Sequence, residues 1–208
     1  MNTELIALLK ANIGLPLSPE LAADLCIAAG RLETLVQASA IGKIKPEHHE
    51  GFTFAIERIG DIADEIKPLH RAHWNETEVH RHNLPFNPDY ETFLRYERAG
   101  RYVLLTLRQD GKLLGNCAMY LDKSTHTRTI IATEDTLYLL PEARKGRAAS
   151  RFVAYVENAM RVLGATEINI TVKTVNKACR FFRLLGYRHV ENGLTKILET
   201  EDVQLETA

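Results

Sequence analysis

Residues 135–164 read DTLYLLPEARKGRAASRFVAYVENAMRVLG, an apolar strand that runs into a basic, small-residue turn and then an amphipathic helix. A helix N-terminus offers unpaired backbone N–H groups and about half a positive charge. Around this one stand Arg144, Lys145 and Arg147, interleaved with Gly146, Ala148 and Ala149 and followed by Ser150. Side chains that small let a ligand come close to the backbone, and a merely solvated helix start would give no reason for them. The order strand, turn, helix therefore predicts a seat for a phosphorylated anion.

Downstream, Phe152, Val153, Val156, Ala159, Met160 and Leu163 fall on one face of a helix from Arg151 to Leu163, which Gly164 ends. Ile168, Ile170 and Val172 then alternate with polar residues as a strand, a helix covers Asn176 to Leu185, and Leu194 to Leu198 reads as a last strand. Upstream, Thr129 to Leu140 is a strand. Before it, Val103–Arg108 and Leu113–Leu121 form a hairpin across Gln109, Asp110, Gly111 and Lys112, in which the Asp-Gly pair signals a tight turn. A strand at Phe52–Ile56, a helix from Ile59 through Trp74 and another from Asn87, with Pro88 in its first turn, complete this part.

Residues 1–50 read as an appended pair of helices and a polar linker. The first helix spans about Thr3 to Asn12. Ser18 caps the second and Pro19 starts it, with Leu21, Leu25, Ala28, Leu32 and Leu35 as an apolar stripe running to Gln37. That stripe needs cover, from the main domain or from a partner such as a second copy of the chain. Residues 51–200 are the main domain and 201–208 an acidic tail.

With 208 residues and 45% hydrophobic composition, the chain can bury a full core. Twenty-six basic and 27 acidic side chains give a net charge of −1, which argues against a global attraction to nucleic acid or membrane. No apolar run is long enough to span a bilayer and no signal peptide is recognisable, so a cytoplasmic location is expected. Cys26, Cys117 and Cys179 are odd in number and lack metal-site spacing.

The turn Pro141, Glu142, Arg144 and the loop after it resemble the GNAT family (GCN5-related N-acetyltransferases), in which such a strand precedes a loop of the type Arg/Gln-x-x-Gly-x-Gly/Ala. Aligned on Arg144, Arg147 stands where the family has its central glycine, while Ala149 fits. Aligned on Gly146 and Ala148, Ala143 takes the basic position. NKACRFFRLLGY, residues 176–187, resembles the family's closing motif, with Phe182 where many members carry a tyrosine that protonates the departing thiolate. The wording around His73 and Trp74, the strand from Asp135 and the Leu-Gly-Tyr ending resemble acetyltransferases of phage and prophage genomes.

The resemblance implies an α/β (α+β) acyl-coenzyme A N-acyltransferase fold, a mixed central sheet flanked by helices, here with an N-terminal helical extension. It implies acetyl-coenzyme A as co-substrate, no metal, and an amine acceptor that is a small molecule or a protein. Donor contacts are expected from Leu139 and Leu140 through the backbone, from Arg144, Lys145, Gly146, Arg147, Ala148, Ala149 and Ser150 around the pyrophosphate, and from Asn176 and Phe182 near the thiol.

An amine near pKa ~10.4 must lose a proton to attack, so a base is required. Glu134 is the first choice. Asp135, sent to the opposite face by strand alternation, is the second choice of base and is otherwise placed with the acceptor, and His73 is a reserve base. Tyr138 is the nearest hydroxyl that could replace the missing acid, although solvent can also protonate a thiolate. Trp74 and Glu76 are placed at the acceptor pocket. His70, His73, His80 and His82 lack the cysteines and the spacing of a metal site. Two other functions fit the same residues: a coenzyme A-binding module that has lost turnover, suggested by Phe182 and Arg147, and a phage-type enzyme that modifies nucleic acid.

Overall fold

The computed structural model describes residues 3–30, 34–78, 85–174 and 176–196. In chain order its elements are α1 (Thr3–Ala11), α2 (Pro19–Ala28), α3 (Ala38–Ile41), β1 (Glu47–His49), β2 (Phe52–Ile56), α4 (Ala63–Thr77), α5 (Tyr90–Arg98), β3 (Tyr102–Gln109), β4 (Lys112–Lys123) and β5 (Ile130–Leu139). A 3-10 turn over Pro141–Arg144, then α6 (Ala148–Val162), β6 (Ala165–Asn169) and α7 (Ala178–Leu184) follow. By internal packing the chain divides into two units, Met1–Thr171 and Val172–Ala208.

The first unit is built on one six-stranded sheet in the order β1-β2-β3-β4-β5-β6. Asp110 and Gly111 take φ of +50° and +80°, the paired left-handed geometry of a tight hairpin turn, so β3 and β4 join as the sequence predicts. Neighbours are antiparallel until β6, which runs parallel to β5 after the α6 crossover.

One face of the sheet packs on α6. Phe54, Leu105, Leu107, Cys117, Met119 and Leu139 meet Phe152, Tyr155, Val156, Ala159 and Met160, and every apolar residue predicted for the inner face of α6 is buried. On the other face Tyr102, Leu104, Ala118 and Tyr138 pack against Ile66 and Leu69 of α4, with Phe93 and Leu94 of α5 beside them. Burial of this kind contributes about 25 cal/mol per Å² of apolar surface and is the main force holding the helices in place.

The N-terminal elements differ from expectation in extent. Ser18 accepts the Leu21 N–H at 3.2 Å and Pro19 opens α2 as predicted. The helix stops at Ala28, however, because Gly30 takes φ +71° and ends it in the left-handed conformation. Of the predicted stripe, Leu32 lies outside the described residues, and Leu35 instead donates its N–H to the Ala99 carbonyl at 2.9 Å. The stretch expected to be a linker, Ile41–Gly51, contains β1, which pairs with β2, and α3 precedes it.

α2 docks on α5, where Arg98 makes a two-pronged ion pair with Asp24, its Nε donating to Oδ1 at 2.9 Å. In the second unit, α7 is preceded by Asn176, whose side-chain oxygen accepts the Ala178 N–H at 2.9 Å. Residues 194–196 of the expected last strand have no strand pairing, and 197–198 lie outside the described residues.

Candidate active site

Strand β5 is irregular where it matters. Ala118 pairs with Thr136 and Met119 with Glu134, so Asp135 is an extra residue bulged out of the ladder. The bulge shifts the side-chain phase. Ala132 faces the α6 core before it, whereas Leu137 and Leu139 face that core after it. Glu134, opposite Met119, shares the α6 face. Asp135 turns to the α4 face, where the hydroxyl of fully buried Tyr102 donates to its Oδ2 at 3.4 Å. Burial raises the Asp135 carboxyl above the usual carboxylate range, and the Tyr102 hydrogen bond partly offsets this.

The same strand has an open side. Pairing with β6 ends at Thr133 and Asn169, so among the described residues Glu134–Leu139 pair with no strand other than β4. Leu140 N–H donates to the Leu114 carbonyl at 2.7 Å. In an antiparallel ladder this bond flanks the Gly115–Leu139 pair and turns the N–H and C=O of Leu139, and of Leu137 two residues earlier, away from β4. The outward groups thus belong to Leu137 and Leu139. Leu140, expected to share this role with Leu139, spends its N–H on β4 and its carbonyl on the Ala143 N–H.

At the end of β5 a compact charge network joins the strand to α4. Arg144 donates from Nη1 and Nη2 to the two carboxylate oxygens of Glu76 at 2.8 and 2.7 Å, and from Nε to the Leu139 carbonyl at 2.7 Å. Tyr138 donates its hydroxyl to the same carboxylate at 3.0 Å. Its ring lies 5.2 Å beneath the Arg144 guanidinium and 5.4 Å from the ring of His73. The Arg144 hydrogen bonds hold the Glu76 carboxyl below its usual range, while burial and then Glu76 push the Tyr138 hydroxyl up.

Sequence reasoning placed Arg144 on a phosphate and Glu76 on the acceptor; here the two are bonded to each other. Trp74 lies half-buried on α4 with its ring 5.7 Å from Phe86. On the same face Asn116, opposite Tyr138, donates from Nδ2 to Thr136 Oγ1 at 2.9 Å, and its own side-chain oxygen is buried with no partner. Nothing in the sequence singled out Tyr102, Asn116 or Leu137, because strand register alone brings them to this spot.

Beyond the network, Lys145 and Arg147 are exposed around Gly146, which has φ +62° and whose Cβ position meets nothing within 4 Å. Ala148 is buried at the start of α6, Ala149 and Ser150 are partly buried, and no acidic residue stands in the first turn. Small residues, a left-handed glycine and two outward cations fit a pyrophosphate at a 15-residue helix.

Asn176 and Phe182 belong to the second unit. Asn176 is exposed at the start of α7, and Phe182 is buried edge-on against Phe181 and Tyr187 at 5.3 and 5.2 Å. His80 and His82 lie outside the described residues. Among the described residues there is no group of three or more His, Cys, Asp or Glu side chains that could hold a metal ion. No helix among them is long and apolar enough to cross a membrane.

A mixed six-stranded sheet whose penultimate strand is bulged and open along one edge beyond the bulge, followed by a basic, small-residue turn and a helix, has the architecture of the coenzyme A-dependent acyltransferase fold. The family model for Acetyltransferase (GNAT) family matches residues 61–187, and the chain belongs to that family.

Solved structures agree in fold. An aminoglycoside acetyltransferase, meta-AAC0020, from an uncultured soil metagenomic sample superposes with a TM-score of 0.57 at 13% identity, over 75% of this chain and 100% of that one. A ribosomal-protein-alanine N-acetyltransferase from Brucella melitensis biovar Abortus 2308 gives 0.55 at 15% identity over 72% and 99%. AAC(6')-Iy, in complex with a bisubstrate analogue that joins coenzyme A to an acetylneamine, gives 0.56 at 14% identity over 74% and 100%. A search of curated protein sequences finds no match.

Proposed function

We propose that the protein is an N-acetyltransferase that moves the acetyl group of acetyl-coenzyme A directly to an amine. The observation behind this reading is the bulge at Asp135 next to an open strand edge that leads to the basic turn. Lys145 and Arg147, with the N–H groups at the start of α6, hold the pyrophosphate. The outward N–H and C=O groups of Leu137 and the N–H of Leu139 take the amide-bearing arm.

Asp135 takes the base role first assigned to Glu134. It stands on the α4 face, and its raised proton affinity brings it closer to the working pH. The amine nitrogen forms the new C–N bond, its proton passes to Asp135, and the C–S bond breaks. Tyr138, held by Glu76, or solvent returns a proton to the thiolate. His73 is the reserve base beside Tyr138, and Trp74 and Asn116 face the acceptor.

The amine belongs to a small molecule or a protein, in keeping with structural neighbours named as an aminoglycoside acetyltransferase and a ribosomal-protein-alanine N-acetyltransferase. The resemblance to phage and prophage acetyltransferases adds nucleobase amines to the panel. A cytoplasmic enzyme that can dimerise through its N-terminal extension completes the reading. Release of coenzyme A thiol in the presence of such a panel tests it. Acceptor-dependent release supports the enzyme, whereas tight donor binding with no release from any amine favours a binding module.

A further inference from the structure

Asp135 is the extra residue of the β5 bulge, so no partner across the ladder fixes the direction of its side chain. A carboxylate that must meet a substrate in one orientation then needs an anchor from elsewhere. Tyr102, the first residue of β3, supplies it. The Tyr102 hydroxyl donates to Asp135 Oδ2 at 3.4 Å, while Oδ1 has no hydrogen-bond partner among the described residues.

Tyr102 is itself clamped. It is 0% exposed, its ring stacks on Phe93 of α5 at 5.1 Å, and the Tyr120 ring meets it edge-on at 5.1 Å. Tyr90 braces Phe93 in turn at 5.8 Å. A ring enclosed in this way does not swing, so its hydroxyl points to one place. Packing does not explain the hydroxyl. Ile62, Ile66, Leu69 and Leu104 form the same layer, and phenylalanine would fill the space among them without burying a polar atom that needs a partner.

The surroundings leave Asp135 dependent on this contact. From β4 it is faced by the Tyr120 hydroxyl, pushed up to about 12 by burial and then by Asp135, and it acts on the buried Cys117 thiol, as does Glu134 beside it. On α4, His70, His73 and Glu76 are turned to Tyr90, Tyr138 and Arg144. On α5, Tyr96 packs on Tyr120, and Asp89 caps its own helix at Thr92. Among the described residues no lysine or arginine pairs with Asp135, which leaves Tyr102 as the group that favours its charged form.

We infer that Tyr102 is the positioning residue of the general base: its hydroxyl pins Oδ2 of Asp135 and leaves Oδ1 to take the amine proton as the C–N bond forms and the C–S bond breaks. The proton then leaves Oδ1 for solvent, which restores the carboxylate. This role rests on the reading of Asp135 as the base. Without the Tyr102 hydroxyl the carboxyl holds its proton to a higher pH, so the base is disabled over a wider acid range. A residue that only packs would leave that dependence unmoved.

The test is the pH dependence of kcat/KM for one amine at saturating acetyl-coenzyme A, measured on the full chain as wild type, Y102F, D135N and a protein with 3-fluorotyrosine at position 102. Ionisation of the amine is common to all four and drops out of the comparison. Y102F should move the acid limb up by about half a pH unit to one unit, the scale of one neutral hydrogen bond, with a plateau within about threefold of the wild type. Fluorotyrosine keeps the packing and is the stronger donor, so it should move the limb down.

An acid limb that stays in place in Y102F, or that moves the same way with both replacements, overturns the positioning role. If Y102F fails to fold, the fluorotyrosine protein decides alone, and an unmoved limb there overturns the role as well. A wild-type rate in D135N would remove the base assignment and the role of Tyr102 with it. Loss of rate in D135N beside an unmoved limb in Y102F would remove the role of Tyr102 and keep the base.

Discussion

At the residue scale the central contrast is between Glu134 and Asp135. Strand alternation correctly separates them, yet only the bulge decides which one turns to the α4 face and meets Tyr102. Asp135→Asn is therefore expected to lower kcat by about a hundredfold or more, the scale of a lost general base, while Glu134→Gln changes it by less than about tenfold. Steady-state kinetics of the two variants with one acceptor checks the assignment, and a reversed order would return the base role to Glu134.

His70 supplies a second prediction at this scale. It is buried, its Nδ1 lies 3.2 Å from the Tyr90 hydroxyl, and its Nε2 is buried without a partner. Burial, aided by the neighbouring His73, lowers its pKa from 6.5 to about 4. The folded state thus resists a proton that the unfolded chain accepts. Stability is complete above about pH 6.5 and falls as the pH drops toward 4, by on the order of 3 kcal/mol in total. Denaturant unfolding of the wild type at neutral and acid pH should show this loss, and His70→Gln should flatten it.

At the scale of elements, much was readable because the signals were local. Asp110-Gly111 fixed the hairpin, Ser18-Pro19 opened α2, and the apolar face of α6 matched its burial residue by residue. The bulge in β5 was not readable. It arises from pairing with β4, and no residue type in 134–136 demands it. The outward backbone groups expected of Leu139 are there, but those expected of Leu140 belong instead to Leu137, since hydrogen-bonding direction follows the register of the ladder.

Register also explains Gly115. A Cβ there would lie 2.2 Å from Leu139 Cδ2 and 3.0 Å from the Tyr138 carbonyl oxygen. Gly115→Ala must push the active strand outward, and about 1–3 kcal/mol of destabilisation is expected, the range for overpacking. A fall in acetyl-coenzyme A affinity should accompany it. Thermal melts and donor titration measure the two effects together, and an unshifted variant would mean that β5 tolerates displacement.

For the molecule as a whole, the N-terminal part is integrated into the first unit rather than hung from it. β1 extends the sheet, Asp24 holds Arg98, and the segment at Val36 crosses the turn between α5 and β3. Gly100 makes that crossing feasible: its φ is +62°, and a Cβ would fall 1.9 Å from the Val36 carbonyl oxygen. Gly100→Ala should cost about 2 kcal/mol or more, from backbone strain and collision together. Circular dichroism melts of the variant check this, and an unchanged midpoint would show the crossing to be free to move. The sequence revealed helices in this region but not their docking, because an apolar stripe states that cover is needed and not what supplies it.

The central claim is that the turn after β5 holds the phosphates of acetyl-coenzyme A through Lys145, Arg147 and the start of α6, while Arg144 is committed to Glu76 and Leu139. Calorimetric titration of the wild type and of K145E/R147E with acetyl-coenzyme A tests it most directly. The account predicts micromolar binding by the wild type and at least a tenfold loss, about 1.4 kcal/mol, in the variant. No binding by the wild type, or equal binding by both proteins, would contradict it.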